Sequence, residues 1–353
     1  MTPDALLADF DGELFRFLHR AQPKSGTFRE MVSYHLAWRS WDDAEPAVAD
    51  AGGKRVRPLL ALLTAQTVSG DHRAALPAAI AVQLVHDFSI ILDDIMDRDR
   101  VRRNRPSLWV GYGTGQAMTA AAGLYVIGLD ALQDYLDTDV PHRELRGLTR
   151  TLLDSCLEMA DSQHLDLDWE KQFGMTLDQV RAVALGRSCL IRCGAELAAD
   201  VSTSDPEVQA AFREFGALLS TAFSIIDDHR GLWGDELRNG KPLRSDIRQH
   251  KKTFPIVAGY LRCDPVRQRR MRDLLTGPEL GDAEVAAVMD LLDEAGAEEA
   301  TTREVRRLSG LALECLHRPA LAQFDVSDLA GLTENLLGGP ATTTHPVRQG
   351  GSA

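Results

Sequence analysis

Apolar side chains recur three and four positions apart through most of this chain, and no segment combines strand-like alternation with turn signals. Residues up to about 45 form two amphipathic stretches, separated near Pro23, Lys24, Ser25 and Gly26. The following segment, 46–58 (PAVADAGGKRVRP), is loop-like. Leu59, Leu62, Leu63 and Gln66 then keep helical spacing as far as Gly70. A helix is predicted from about Ala74 to Asp97, apolar through Leu92 and then abruptly charged. An apolar helix that ends in a charge cluster calls for a functional explanation. Further helices are expected over roughly 114–137, 142–169, 176–200, 206–233, 252–262, 265–275, 282–294 and 297–317. Thr176 and Ser204 suit N-cap positions. The tail from Gly338 to Ala353 has no apolar periodicity and is expected to be disordered. The expectation is one all-α domain over 1–337 with a loose tail, 338–353.

Composition agrees with that pattern. Aromatic residues are sparse and hydrophobic residues make up 44% of the 353, enough for a sizeable core. The net charge of −13 argues against a nucleic-acid partner. It also makes the few places where basic residues bunch stand out. The five cysteines (Cys156, Cys189, Cys193, Cys263 and Cys315) form no CxxC pair, so a reducing, cytoplasmic location is expected. The start, MTPDALLADFDGELF, has no basic n-region, and no run approaches the roughly 18 apolar residues of a membrane span.

The charge cluster after the 74–97 helix is LDDIMDRDRVRRNRPS. Asp93 and Asp97 share one helical face, where like charges repel. Two carboxylates so placed suit Mg²⁺, a hard cation that binds carboxylate oxygens, keeps waters and bridges phosphates. Alone, such a quartet is more often a solvated helix end. A second cluster changes that balance. In AFSIIDDHRGLWGDELRNGKPLRSDIRQHKKTFP another apolar helix ends in paired aspartates, Asp227 and Asp228, trailed by Lys241, Arg244, Arg248, Lys251 and Lys252. Two greasy helices ending this way suggest an apolar cavity with metal and phosphate ligands at its mouth, which fits an allylic diphosphate.

The blocks YHLAW, GGKRVRP, DDIMD with its Arg pair, and WGD…GKP…KKT, in that order between Tyr34 and Pro255, resemble the polyprenyl (trans-isoprenyl) diphosphate synthase family, most of all its actinobacterial geranylgeranyl-type members. The resemblance implies an isoprenoid-synthase-type helical bundle around a deep central cavity, usually as a homodimer. It implies condensation of isopentenyl diphosphate with an allylic diphosphate, with three Mg²⁺ per active site on Asp93, Asp97 and Asp227. Asp94, Asp228 and Lys241 complete the implied catalytic set. Lys54, Arg57, His86 and Arg103 are the implied ligands of isopentenyl diphosphate; Arg102, Arg187, Lys241 and Lys251 face the allylic diphosphate. Phe88 and Ser89, five and four residues before Asp93, would lie about one helical turn below the metal face. One aromatic beside one small residue there resembles the geranylgeranyl pattern, with farnesyl diphosphate as the other possible product.

Four departures from the family pattern stand in this chain. Gly231 occupies the third Asp position of the second motif, Ser224 replaces a usual Gln, Arg187-Ser188 a usual Lys-Thr, and Ala121-Ala122 a usual Gly-Asp. Two other readings therefore compete: a class I terpene cyclase-like lyase, which would have no need of the isopentenyl cations, and a weakly active or non-catalytic homologue.

Overall fold

The structure, a computed structural model, describes residues 1–21, 23–46, 53, 55–138, 142–235, 242–277 and 280–338. Lys54, Lys241 and the tail beyond Gly338 lie outside the described residues. Helices α1 (Pro3–Ala21) and α2 (Gly26–His35) are followed by a short hairpin, β1 (Trp38–Ser40) and β2 (Asp43–Pro46). Then come α3 (Val56–Ser69), α4 (Leu76–Met96) and a second hairpin, β3 (Val101–Arg102) and β4 (Arg105–Pro106). The rest is helical: α5 (Leu108–Tyr112), α6 (Thr114–Asp130), α7 (His142–Asp168), α8 (Leu177–Arg187), α9 (Cys189–Ser202) and α10 (Pro206–Trp233). After these come α11 (Ser245–Arg248), α12 (Phe254–Arg262), α13 (Pro265–Leu275), α14 (Asp282–Glu294), α15 (Ala297–Leu316) and α16 (Ser327–Leu337).

The all-α class is as expected, and three local expectations need correction. Two hairpins exist where no strand was foreseen, because strands of two to four residues are too short to show a period. The helix predicted over 176–200 is two helices that break at Ser188 (φ −114°, ψ 12°). The N-cap of α10 is Asp205, not Ser204: its carboxylate accepts from the Glu207 N–H, and Pro206 fills the first helical position. The expectation of no membrane span is not overturned: the helical stretch His72–Met96 is long and apolar enough to cross a membrane by length and composition alone, a test that a mostly buried core helix also passes.

That last stretch owes its composition to burial. In α4, Ala78 to Leu84 and Val85 are buried on every side, the pattern of a helix at the centre of a bundle. Helices α3, α6 and α9 pack around it, α10 packs against α9, and α15 against α10. The α9–α10 contact needs Gly216, where a Cβ would lie 2.8 Å from the Arg192 Cα. A second, smaller core joins α11 to α14 through Ile247, Ile256, Met271, Leu275 and Val288. Lys252 links the two parts. Its ammonium is buried and donates to the carbonyls of Glu170, His250 and Leu275 at 3.0, 2.6 and 3.1 Å. The second lysine of the KKT block is thus a structural residue.

Candidate active site

The two aspartate pairs sit at the C-terminal ends of α4 and α10, and one short strap ties those ends together. At one end of the strap the Arg244 N–H donates to the Gly231 carbonyl at 2.8 Å, just past Asp227 and Asp228. At the other, the Gln249 amide donates to the Asp97 carbonyl at 2.9 Å and to Asp99 Oδ1 at 2.8 Å. Lys251 completes the link: its Nζ lies 2.8 Å from Asp97 Oδ1, 2.9 Å from Asp166 Oδ2 and 3.4 Å from Glu170 Oε1. Burial works against that ammonium, but Asp166 and Asp97 outweigh it and raise its pKa above the usual lysine range.

The inner aspartate of each pair is buried and held by an arginine. Asp94 Oδ1 accepts from Arg102 Nε at 2.9 Å and Nη2 at 2.5 Å. Asp228 accepts from Arg187 Nη2 at 3.0 and 2.8 Å on its two oxygens. Burial pushes the Asp228 carboxyl up to about 7, against the pull of Arg187. The outer aspartates are more open: Asp93 is half-buried and Asp227 exposed. A Cβ at Gly231 would lie 3.8 Å from Asp246 Oδ2, so a carboxylate stands beside the position where the third motif Asp is missing.

Among the described residues, no three His, Cys, Asp or Glu side chains converge closely enough to hold a metal ion unaided. This still fits Mg²⁺, which usually takes one or two carboxylates and completes its shell with waters and substrate phosphates. Asp93, Asp97 and Asp227 offer acceptor-only oxygens from two adjoining helix ends, while Arg102 and Arg187 occupy Asp94 and Asp228. The donor set suits ions that arrive with a diphosphate.

A second wall is cationic. Arg57, on α3, donates from Nη1 to His86 Nε2 of α4 at 3.1 Å, and its buried Nε has no hydrogen-bond partner. Burial pushes the Arg57 guanidinium down to about 10. Burial and then Arg57 hold the His86 imidazole well below its usual value. Arg103 sits at the tip of the second hairpin, where it and Asn104 both have left-handed φ (52° and 58°). The Arg103 guanidinium lies against Gly53, itself at φ 80°, and would be 3.1 Å from a Cβ there. Only glycine combines that backbone with that approach. One turn below Asp93, Phe88 packs against Tyr125 of α6 with ring centroids 4.8 Å apart. Ser89 Oγ donates to the His86 carbonyl at 2.9 Å.

Sequence reasoning missed three groups in this region. Asp166, near the end of α7, and Glu170, in the 3-10 turn Trp169–Lys171 that follows, lie four apart and clamp Lys251. Gln163, three before Asp166, is half-buried with an amide nitrogen that has no partner. The 163, 166, 170 spacing marks one helical face and was the available signal.

Residues 43–292 match the polyprenyl synthetase family. The chain is 30% identical to a (2E,6E)-farnesyl diphosphate synthase of Mycobacterium tuberculosis over 313 residues, covering 88% of this chain and 85% of that one. It is 35% identical to a geranylgeranyl diphosphate synthase of the same organism over 243 residues, 68% of each. Its fold superposes on the crystal structure of a polyprenyl synthetase from Streptomyces coelicolor with a TM-score of 0.78 at 28% identity, covering 92% of this chain and 96% of that one.

The Arg57–His86 contact fixes a protonation state. Arg57 can only donate, so His86 Nε2 must accept, and the imidazole carries its proton on Nδ1. We expect ¹⁵N NMR at about pH 6.5 to show His86 as the neutral Nδ1–H tautomer. The unfolded chain takes up a proton at this residue near its ordinary pKa, whereas the folded chain does not. His86 therefore lowers stability as pH falls through about 6.5. A doubly protonated His86 at that pH would contradict the assignment.

Proposed function

The chain belongs to the polyprenyl synthetase family and is a trans-prenyl diphosphate synthase, a transferase of prenyl groups; from that premise we propose that it condenses isopentenyl diphosphate with an allylic diphosphate to give geranylgeranyl diphosphate, with Mg²⁺ as cofactor. The observation that carries this reading is the strap from Arg244 to Lys251, which joins the two carboxylate-bearing helix ends within one mouth. When bound there, the metal supplies Lewis-acid stabilisation of the departing diphosphate. The chain's own residues do the rest. Arg102, Arg187 and Lys251 bring positive charge to the allylic diphosphate. Arg57, His86 and Arg103 form a separate anion wall for isopentenyl diphosphate, and direct cationic contacts suffice there. Apolar walls below keep water from the reacting carbons. A cyclase-type lyase has no use for the second wall.

Geranylgeranyl diphosphate is favoured by what lies one turn below Asp93. Phe88 is backed by Tyr125, while Ser89 is small and bonded to its own helix backbone. An aromatic pair there makes a firm floor, and the serine leaves room beside it. A second copy of the chain is part of the proposal. Met118 and Val126 on α6 and Leu157 and Leu165 on α7 are exposed apolar residues on helices adjacent in the chain. Covering them in a homodimer removes that surface from water.

Three measurements test the proposal. Purified protein with isopentenyl diphosphate and an allylic primer should incorporate the isopentenyl unit only with divalent metal; full activity after exhaustive chelation would sink the metal assignment. Ser89→Phe should shift the main product to farnesyl diphosphate and Phe88→Ala should lengthen it beyond twenty carbons. Unchanged chain lengths in both active variants would remove the basis for the product. Light scattering should give twice the chain mass, and Val126→Asp with Leu157→Asp should halve it; a wild-type monomer counts against the dimer.

A further inference from the structure

One carboxylate in the bundle has no place in this scheme. Asp87 follows His86 on α4 and is fully buried. Its Oδ1 lies 3.2 Å from His35 Nε2 of α2 and 3.9 Å from Arg103 Nη2 on the hairpin tip. Its Oδ2 accepts from the Gln83 amide at 3.0 Å. Burial alone would raise this carboxyl; His35 and Arg103 more than offset it and hold the group ionised, well below the usual carboxylate range. A buried charge is expensive unless paired and hydrogen-bonded, and packing alone is served as well by an apolar residue of similar size.

We propose that Asp87 is a positioning residue of the isopentenyl diphosphate wall, holding Arg103 and His35 in place on the same face as the Arg57–His86 pair. This rests on the reading of that wall given above. The hairpin itself cannot orient Arg103, since its ladder has only two residue pairs, Val101 with Pro106 and Arg102 with Arg105. The guanidinium is instead held between the Gly53 backbone on one side and Asp87 on the other. Arg57 and Arg103 repel each other, and Asp87 is a negative charge that stabilises both. Consecutive residues of α4 thus serve the two arginines, His86 by accepting from Arg57 and Asp87 by its charge beside Arg103. His35 adds a further partner from α2, and beside it Tyr34 donates to the Pro106 carbonyl at 2.7 Å, fastening the hairpin to that helix.

The test is titration calorimetry of the full-length protein with isopentenyl diphosphate and, separately, with an allylic diphosphate plus Mg²⁺. Asp87→Asn keeps the shape and removes the charge. It should weaken isopentenyl diphosphate binding roughly tenfold or more, leave allylic binding within about twofold, and raise the KM for isopentenyl diphosphate with little change in kcat. In an Arg103→Ala background the same change should cost much less, because the group it positions is gone. Equal losses at both diphosphates, or a full multiplicative loss in the Arg103→Ala background, overturns the proposal. If Asp87→Asn does not fold, His35→Gln carries the same comparison, and an unaltered isopentenyl affinity there overturns it too. A wild-type protein that binds isopentenyl diphosphate without transferring it would refute the synthase reading, while the binding comparison would still decide this one.

Discussion

Negative charge is placed in this fold where it is least welcome. The C-terminal end of a helix already carries the negative pole of its dipole, and a carboxylate there costs about 0.3–1 kcal/mol more than elsewhere. Here α4 bears paired aspartates in its last turn and α10 bears a second pair a turn before its end, and the strap from Arg244 to Lys251 draws the two together. The arrangement stands only because cations from three other elements meet it: Arg102 from the second hairpin, Arg187 from the end of α8 and Lys251 from the strap. The placement of the hairpin, the break after α8 and the buried course of residues 251–253 are all tied to that charge balance.

The cations that the family resemblance assigns to the allylic diphosphate are therefore not idle in the unliganded chain. Arg102 holds Asp94, Arg187 holds Asp228, and Lys251 is shared by Asp97, Asp166 and Glu170. On the proposed reading, a diphosphate entering with divalent ions would offer the three cations and Asp97 new partners of the same sign as the old ones. Asp97 would trade the Lys251 ammonium for metal, while Arg102 and Arg187 would keep Asp94 and Asp228 and add phosphate contacts. The site can fill without any charge being left alone in a low-dielectric interior, where an unpaired charge costs several kcal/mol. The second wall works differently. Arg57 has a buried nitrogen with no partner and shares its other contact with a neutral imidazole, so on the proposed reading it has a hydrogen bond left to give to an incoming anion.

The sequence made α4 and α10 legible because long apolar runs and a sudden charge are strong periodic signals, and the structure ends them at Met96 and Trp233. Paired aspartates announced both helix ends. What stayed hidden depends on contact across elements. Nothing local marks Ser188 as a break: it is neither Gly nor Pro, and the chain turns there in the stretch where Gly186 packs against Ser162 and Arg187 reaches Asp228. The hairpin at 101–106 reads as a basic run, and its turn needs positive φ at Arg103, a residue with no preference for it. Asp87 carries no periodic signal at all, since one acid within an apolar helix resembles any tolerated polar residue until His35 and Arg103 are seen around it.

The departures from the family pattern can be weighed by the same logic. At Gly231 the loss of a third aspartate looks like the loss of a metal ligand. Yet an aspartate there would point a further carboxylate at Asp246, whose Oδ2 lies 3.8 Å from where its Cβ would begin, and Asp246 already raises the pKa of Asp228. Three carboxylates would then crowd a helix end that has Arg187 as the counter-ion of Asp228. With glycine at 231, the negative charge beside the α10 terminus comes from Asp246 on the strap. Arg187 in place of lysine follows the same reasoning. Lysine brings a single point charge, whereas a guanidinium spreads its charge and stays protonated when buried, which suits a position facing both oxygens of a buried carboxylate. The two substitutions are neighbours through Asp228 and Asp246, so they are best understood as one change: a second motif with one carboxylate fewer on its helix, held by a cation that cannot lose its proton.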